Sequence, residues 1–196
     1  MNTKCKVLVM LFLFTMVCAF DVSAQNDIVD SPRETKIKAD VSMKHETVQK
    51  LMKLARGVQI ESLRGLKGFF VIIEPNVAKE GLSIYKIKKD VELRLKKAGI
   101  KVLTEIEMVK EPGKPYLYIY VKSTKNELEL YAYYIEAGLG QGVFLERDNK
   151  ILVPAIGWKT GITGIVGANE IANSIRNHIK ELVDKFINDY LSVNPK

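Results

Sequence analysis

Thiols are almost missing from this 196-residue chain, whose two cysteines, Cys5 and Cys18, both lie near its start. Histidine is as rare, with His45 and His178 alone, and tryptophan occurs once. If the leading residues are removed, no cysteine remains. That would exclude a cysteine nucleophile, a thiolate metal site, c-type haem attachment and disulfide stapling. Stability then has to come from an ordinary hydrophobic core, and the remaining length suffices for one domain. Long apolar runs are missing too: Val7 to Phe20 falls short of the roughly 20 residues that span a bilayer as a helix. The chain has no G-x-x-x-x-G-K-[ST] phosphate loop, no G-x-S-x-G nucleophile elbow, no internal repeat and no low-complexity tract.

What the start does carry is a targeting pattern. "MNTKCKVLVMLFLFTMVCAFDVSAQND" sets Lys4 and Lys6 ahead of the apolar stretch, and Val22-Ser23-Ala24 ahead of polar Gln25. A basic start, an apolar centre and a small-residue exit are the parts of a secretory signal peptide, with cleavage expected after Ala24. A retained membrane anchor is one alternative. Lipid attachment at Cys18 is another, although Thr15-Met16-Val17 lacks the small residue that lipoprotein signals place before the cysteine. Export to the periplasm or beyond argues against nucleic acid as a partner. Loss of Lys4, Lys6 and Asp21 would lower the formal charge of +7 by one. A basic exported protein is compatible with weak contact with anionic membrane surfaces or cell-wall polymers.

Beyond the signal peptide (1–24), residues 25–40 read as a flexible, polar leader, and residues 41–196 as a single α+β domain. Val48, Leu51, Met52 and Ala55 recur at helical spacing and predict a short N-terminal helix ending at Gly57. Its basic side (Lys44, Lys50, Lys53, Arg56) could rest on a membrane; packing on the domain is the plainer reading. "GFFVIIEPN" has the continuous apolar pattern of a buried strand. "LSIYKIKKDVELRLKKAGI" follows as a helix, with Ser83 as cap, a Leu82–Ile87 staple and Gly99 as the stop. "IKVLTEIEM" predicts a second strand, completing a parallel β-α-β unit. "PYLYIYVKS" alternates strictly, "TKNE" turns the chain, "LELYAYYIEAGLGQGVFLER" continues as a long strand, and "ILVPAIGW" runs back after "DNK". An apolar stripe from Ile171 to Tyr190 predicts a closing helix, with Asn169 as a possible cap. The fold expected is thus α+β: a mixed sheet of about five strands, a β-α-β unit followed by an antiparallel meander, two long helices on it and a short N-terminal helix.

The glycine-rich stretch "GWKTGITGIVGANE" suggests a phosphate cradle, yet Gly161, Gly164 and Gly167 are spaced by three with no Lys-Ser/Thr after them. A hairpin extension or loop leading to the last helix is the better reading. "HETVQ" departs from the zinc signature H-E-x-x-H at Gln49, which removes a ligand. Neither a metal nor a cofactor is therefore expected. The acidic pairs Glu105/Glu107 and Glu127/Glu129 would each share a strand face, which is the only hint of carboxylate chemistry. Six of the eight tyrosines fall between residues 116 and 134. Across the expected turn, Tyr116, Tyr118 and Tyr120 can face Tyr131 and Tyr133 as an aromatic ladder. That ladder is either covered packing or a platform for glycan rings or a partner's apolar surface. The glycines at 138, 140 and 142 share one strand face, which implies a close crossing element or a bend.

Taken in order, "GFFVIIEPN…GLSIYKIKKDVELRLKKAGIKV", the alternating strand, the long strand, "ILVPAIGW" and "VDKFINDYLSVNP" resemble a widespread group of small exported bacterial proteins of unknown function. The resemblance covers about residues 58–195. More distantly, the element order is similar to the N-terminal domain of the Tol-system protein TolB and to the periplasmic domain of the curli secretion channel. Both are non-enzymatic parts of envelope assemblies. What the resemblance implies is a non-catalytic periplasmic binding or envelope-assembly module working through contacts with an envelope protein. Cell-wall glycan binding by Tyr116, Tyr118, Tyr120, Tyr131 and Tyr133 is the rival reading, and a hydrolase built on the acidic pairs is a third.

Overall fold

The computed structural model describes residues 32–74 and 81–195, with side chains from His45 onward. The expected signal peptide and residues 25–31 of the expected leader lie outside the described residues. The chain divides into two units, Met1–Thr47 and Val48–Lys196, and everything below concerns the second unless stated.

Helix α1 spans Pro32–Glu61, so Pro32–Asp40 of the expected leader are helical. It is 30 residues long, not short, and it does not stop at Gly57. A glycine inside a helix costs about 1 kcal/mol relative to alanine. Tertiary contacts of the preceding residue outweigh that: the Arg56 guanidinium lies 5.4 Å from the Trp158 ring and pairs with Asp189. The turn beyond α1 is fastened as well. Gly65, at φ 76°, donates its N–H to Asn194 Oδ1 at 2.7 Å, and Asn194 Nδ2 donates to the Leu63 carbonyl at 2.9 Å.

Strand β1 (Phe70–Ile73) leads to helix α2 (Ile84–Lys97). Ser83 Oγ accepts the Lys86 N–H at 3.3 Å, Leu82 and Ile87 are both buried, and Gly99 at φ 77° ends the helix. The strand expected over "IKVLTEIEM" is absent. Only Val102 bridges to Phe69, and Glu105–Lys110 form helix α3. The reason is local and lies in the sequence: Thr104 and Glu107 make a capping box. Glu107 N–H donates to Thr104 Oγ1 at 3.2 Å, while Thr104 N–H donates to the Glu107 carboxylate at 2.8 Å.

Strands β2 (Tyr116–Lys125), β3 (Leu130–Leu145) and β4 (Asp148–Gly167) follow, and helix α4 (Ile171–Val193) closes the chain. Asn169 does not cap α4, whose N-cap is Glu170 without a side-chain bond. The mixed sheet has four strands among the described residues, not five, in the order β1-β2-β3-β4. β1 pairs parallel with β2, and the other two pairings are antiparallel. The described residues hold four helices in place of two long ones and a short one. α2 and α4 contact each other; α2 also contacts β1, and α4 contacts β3 and β4.

The core lies between these helices and one sheet face. Leu117, Ile119 and Val121 of β2 meet Ile135, Ala137 and Leu139 of β3, under Ile175, Ile179, Val183 and Phe186 of α4. Phe186 stands edge-on to Phe69 at 5.0 Å and to Trp158 at 4.9 Å. Trp158 is fully buried, and its indole N–H donates to Asp189 Oδ2 at 2.9 Å.

Candidate binding face

Among the described residues of the second unit, no helix covers the other face of the sheet. Alternation along β2 sends Leu117, Ile119 and Val121 to the core, and Tyr116, Tyr118 and Tyr120 to this open side, where each is half-buried. Their neighbours depend on the β2–β3 register, which pairs Tyr116 with Gly140, Tyr118 with Gly138 and Tyr120 with Glu136. Tyr131 and Tyr133 pair with Lys125 and Ser123. They point to the helix side with Ile135, and Tyr133 is 4% exposed. The five-tyrosine ladder therefore does not form.

The turn explains the correction. A four-residue turn at "TKNE" would set Tyr118 opposite Tyr133 and Tyr120 opposite Tyr131. Instead β2 runs on to Lys125, and Asn126 bonds Leu130 by N–H to O at 2.9 Å, leaving three loop residues. Glu129 takes the left-handed conformation at φ 61°, and Asn126 Oδ1 accepts the N–H groups of Leu128 and Leu130 at 3.0 and 2.9 Å. Changing a loop by one residue flips every side chain to the other face. The four-residue register would have sent the Glu136 carboxylate into the core and Ile135 and Leu139 to the surface, a costly exchange.

Tyr134 takes the place expected for Tyr131 and Tyr133, since it shares the open face with Tyr116, Tyr118 and Tyr120. At the centre is Glu136, which sequence reasoning did not single out. Its carboxylate accepts the phenol of Tyr118 and, at 2.5 Å, the phenol of Tyr134, with Lys159 Nζ 3.8 Å away. Burial, followed by the Glu136 bond, pushes the Tyr118 phenol well above its ordinary value and that of Tyr134 to about 12. Both stay protonated at neutral pH, as donors fixed on Glu136.

The glycines complete the arrangement. Among the described residues no element crosses Gly138 and Gly140; the rings of Tyr118 and Tyr116 lie over them, where a Cβ would collide. A Cβ at Gly161 would stand 2.9 Å from the Tyr134 ring. Gly164, on the opposite face, seats the Tyr133 hydroxyl, which is also 2.9 Å from His178 Nδ1. The stretch "GWKTGITGIVG" is thus the second half of strand β4, and two of its glycines, Gly161 and Gly164, make room for tyrosines.

Apolar groups extend the face at both ends. Phe144 is 63% exposed beside Leu152 of β4, and Ile165 is 71% exposed at the far end. Two shallow depressions flank the tyrosines. One of about 420 Å³ is lined by Lys122, Thr124, Ala132, Tyr134, Thr163 and Ile165 among others. The second, of about 320 Å³, includes Tyr116, Gly142, Leu152 and Pro154. A mostly apolar floor with ordered phenols suits recognition of a surface or ring system.

The other candidate residues are dispersed. Glu105 and Glu107 lie two apart on a helix, so no strand face brings them together. Glu107 is occupied by its own helix start, and the Thr104 N–H, Lys101 and the Thr104 hydroxyl hold its carboxyl down to about 2. Glu127 and Glu129 are in the β2–β3 turn, with Glu129 paired to Lys125. His45 is exposed on α1, far in sequence from His178 on α4. Among the described residues no group of three metal-ligating side chains converges, and no helix is long and apolar enough to cross a membrane. No protein-family model matches the chain, and no curated protein sequence matches it either.

Proposed function

We propose that this chain is a non-catalytic binding module of the cell envelope that docks a protein partner on the open face of its sheet. The carrying observation is the set of four tyrosines, Tyr116, Tyr118, Tyr120 and Tyr134, lying beside exposed Phe144, Leu152 and Ile165 on a face that no helix covers among the described residues of the second unit. Tyrosines on a stiff sheet offer large contact area at little entropy cost, because the rings of Tyr116, Tyr118 and Tyr134 already sit over glycines and the last two are also held by Glu136. The signal-like start and the likeness to small exported bacterial proteins support an envelope location. A purified chain beginning at Gln25, measured by intact mass, would agree with export.

Cell-wall glycan is the second reading, favoured by half-buried phenol rings that lie over Gly138 and Gly140. One experiment addresses both. The protein and a Tyr118→Ala/Tyr120→Ala variant are compared for cross-linked partners in envelope extract and for co-sedimentation with peptidoglycan. A defined protein cross-link lost in the variant supports docking, and sedimentation lost in the variant supports glycan. Cross-linking and sedimentation both unchanged in a folded variant would remove the face from either role.

A further inference from the structure

A second surface has no part in the tyrosine face. On α1, Val48, Leu51 and Val58 are exposed, the last two by 59% and 69%. The half-covered residues of the same stretch are Arg56, Gln59 and Ile60, and Arg56 reaches Trp158 and Asp189. On a helical projection Arg56 and Ile60 lie well round from the exposed stripe, with Gln59 at its edge, so the helix turns most of its apolar side away from its own domain.

The spacing of that stripe says what covers it. Val48, Leu51, Ala55 and Val58 are separated by three, four and three residues, and in the sequence Ile37, Val41 and Lys44 continue upstream with the same alternation. A strict three-four repeat averages 3.5 residues and is the signature of a helix wound against another of the same period. A helix lying on a globular domain needs only the 3.6 period, and needs it on the side facing the domain. Lys50, Lys53 and Glu46 fall at the outer heptad positions, while Met52 and Leu54 flank the seam and widen it. Lys44 is the one charged seam position, and such a residue lowers stability while narrowing the choice of register.

We infer that α1 is a self-association helix, and that its seam is covered by α1 of a second copy of this chain in a coiled coil. A second copy supplies the same repeat over the same length, so a two-fold pairing is self-complementary without any further partner. The tyrosine faces stay outside the contact, and the dimer would present two of them on one particle, which raises apparent affinity for a multivalent target.

Sedimentation velocity of the purified chain beginning at Gln25, over a range of loading concentrations, tests this, with Leu51→Glu and Val58→Glu as seam variants and Tyr118→Ala/Tyr120→Ala as the face control. The expected result is a concentration-dependent dimer whose dissociation constant rises about a hundredfold or more in either seam variant. The face control should remain dimeric. Both seam positions are surface-exposed, so circular dichroism should show a retained fold; if one variant unfolds, the other decides. A monomer at every concentration would overturn the inference. So would a dimer that survives both seam substitutions, or one lost only in the tyrosine variant.

Discussion

The two faces of the sheet are built from the same strands and share tyrosine, glycine and aliphatic residues, but they differ in what satisfies those residues. On the helix side, Tyr133 is buried, its ring against the Gly164 backbone and its hydroxyl bonded to His178 of α4. On the open side, Tyr118 and Tyr134 bond within the sheet to Glu136, and the helices contribute nothing to them. The first face depends on α4 for its order, whereas the second is ordered by the sheet alone. A surface that is ordered before its partner arrives is suited to recognition, since little freedom is left to lose on binding.

The contrast can be broken most directly by truncation. Phe186→Ala, which empties the centre of the helix-covered core, should cost about 3–5 kcal/mol in urea denaturation. Phe144→Ala on the open side should stay within about 0.5 kcal/mol. Similar losses at both positions would mean that something covers the open face after all. A smaller effect probes the glycine seats. Gly138→Ala should cost about 1–2 kcal/mol, because the added Cβ displaces the Tyr118 ring and with it the bond to Glu136. In the Gly138→Ala/Tyr118→Ala pair most of that penalty should disappear, and strict additivity would show that the seat is not what holds the ring.

The mildest perturbation is alkali. The folded-state values of Tyr118 and Tyr134 lie above the ordinary tyrosine value of about 10. Their contribution is therefore complete below pH ~10 and is lost as the pH rises through the folded values, about 12 for Tyr134. Stability should fall across that window, because the unfolded chain releases these protons first. Tyr118→Phe/Tyr134→Phe should flatten the fall, and late phenolate absorbance should vanish with it. An unchanged slope in the double variant would assign the effect to Tyr133 and Tyr190, whose phenols burial also raises.

Much of the local structure was legible. Ser83 and Gly99 bound α2 through capping and a left-handed stop, and the alternation of 116–121 gave the two sides of β2. The run "TEIEM" alternates as a strand would, and the Thr104–Glu107 capping box, equally present in the sequence, overrides that pattern. Gly57 predicts an end because its helix-breaking cost is local, while Arg56, Trp158 and Asp189, which offset it, are joined only by folding. The signal for the true tyrosine face was also present. In residues 131–141, Ile135 and Leu139 fall on one parity, and Glu136 with Gly138 and Gly140 on the other. Burying the first set and not the carboxylate selects the observed register.

By itself the amino-acid order determined the period of each segment, the caps, and the fact that alternate residues of β2 and β3 must part company, because these follow from backbone geometry over a few residues. Which tyrosines stand together, what the glycines are for, and which side of α1 is left bare were decided only by tertiary structure. Each depends on pairing between segments far apart in the chain, where a loop one residue longer exchanges the two faces.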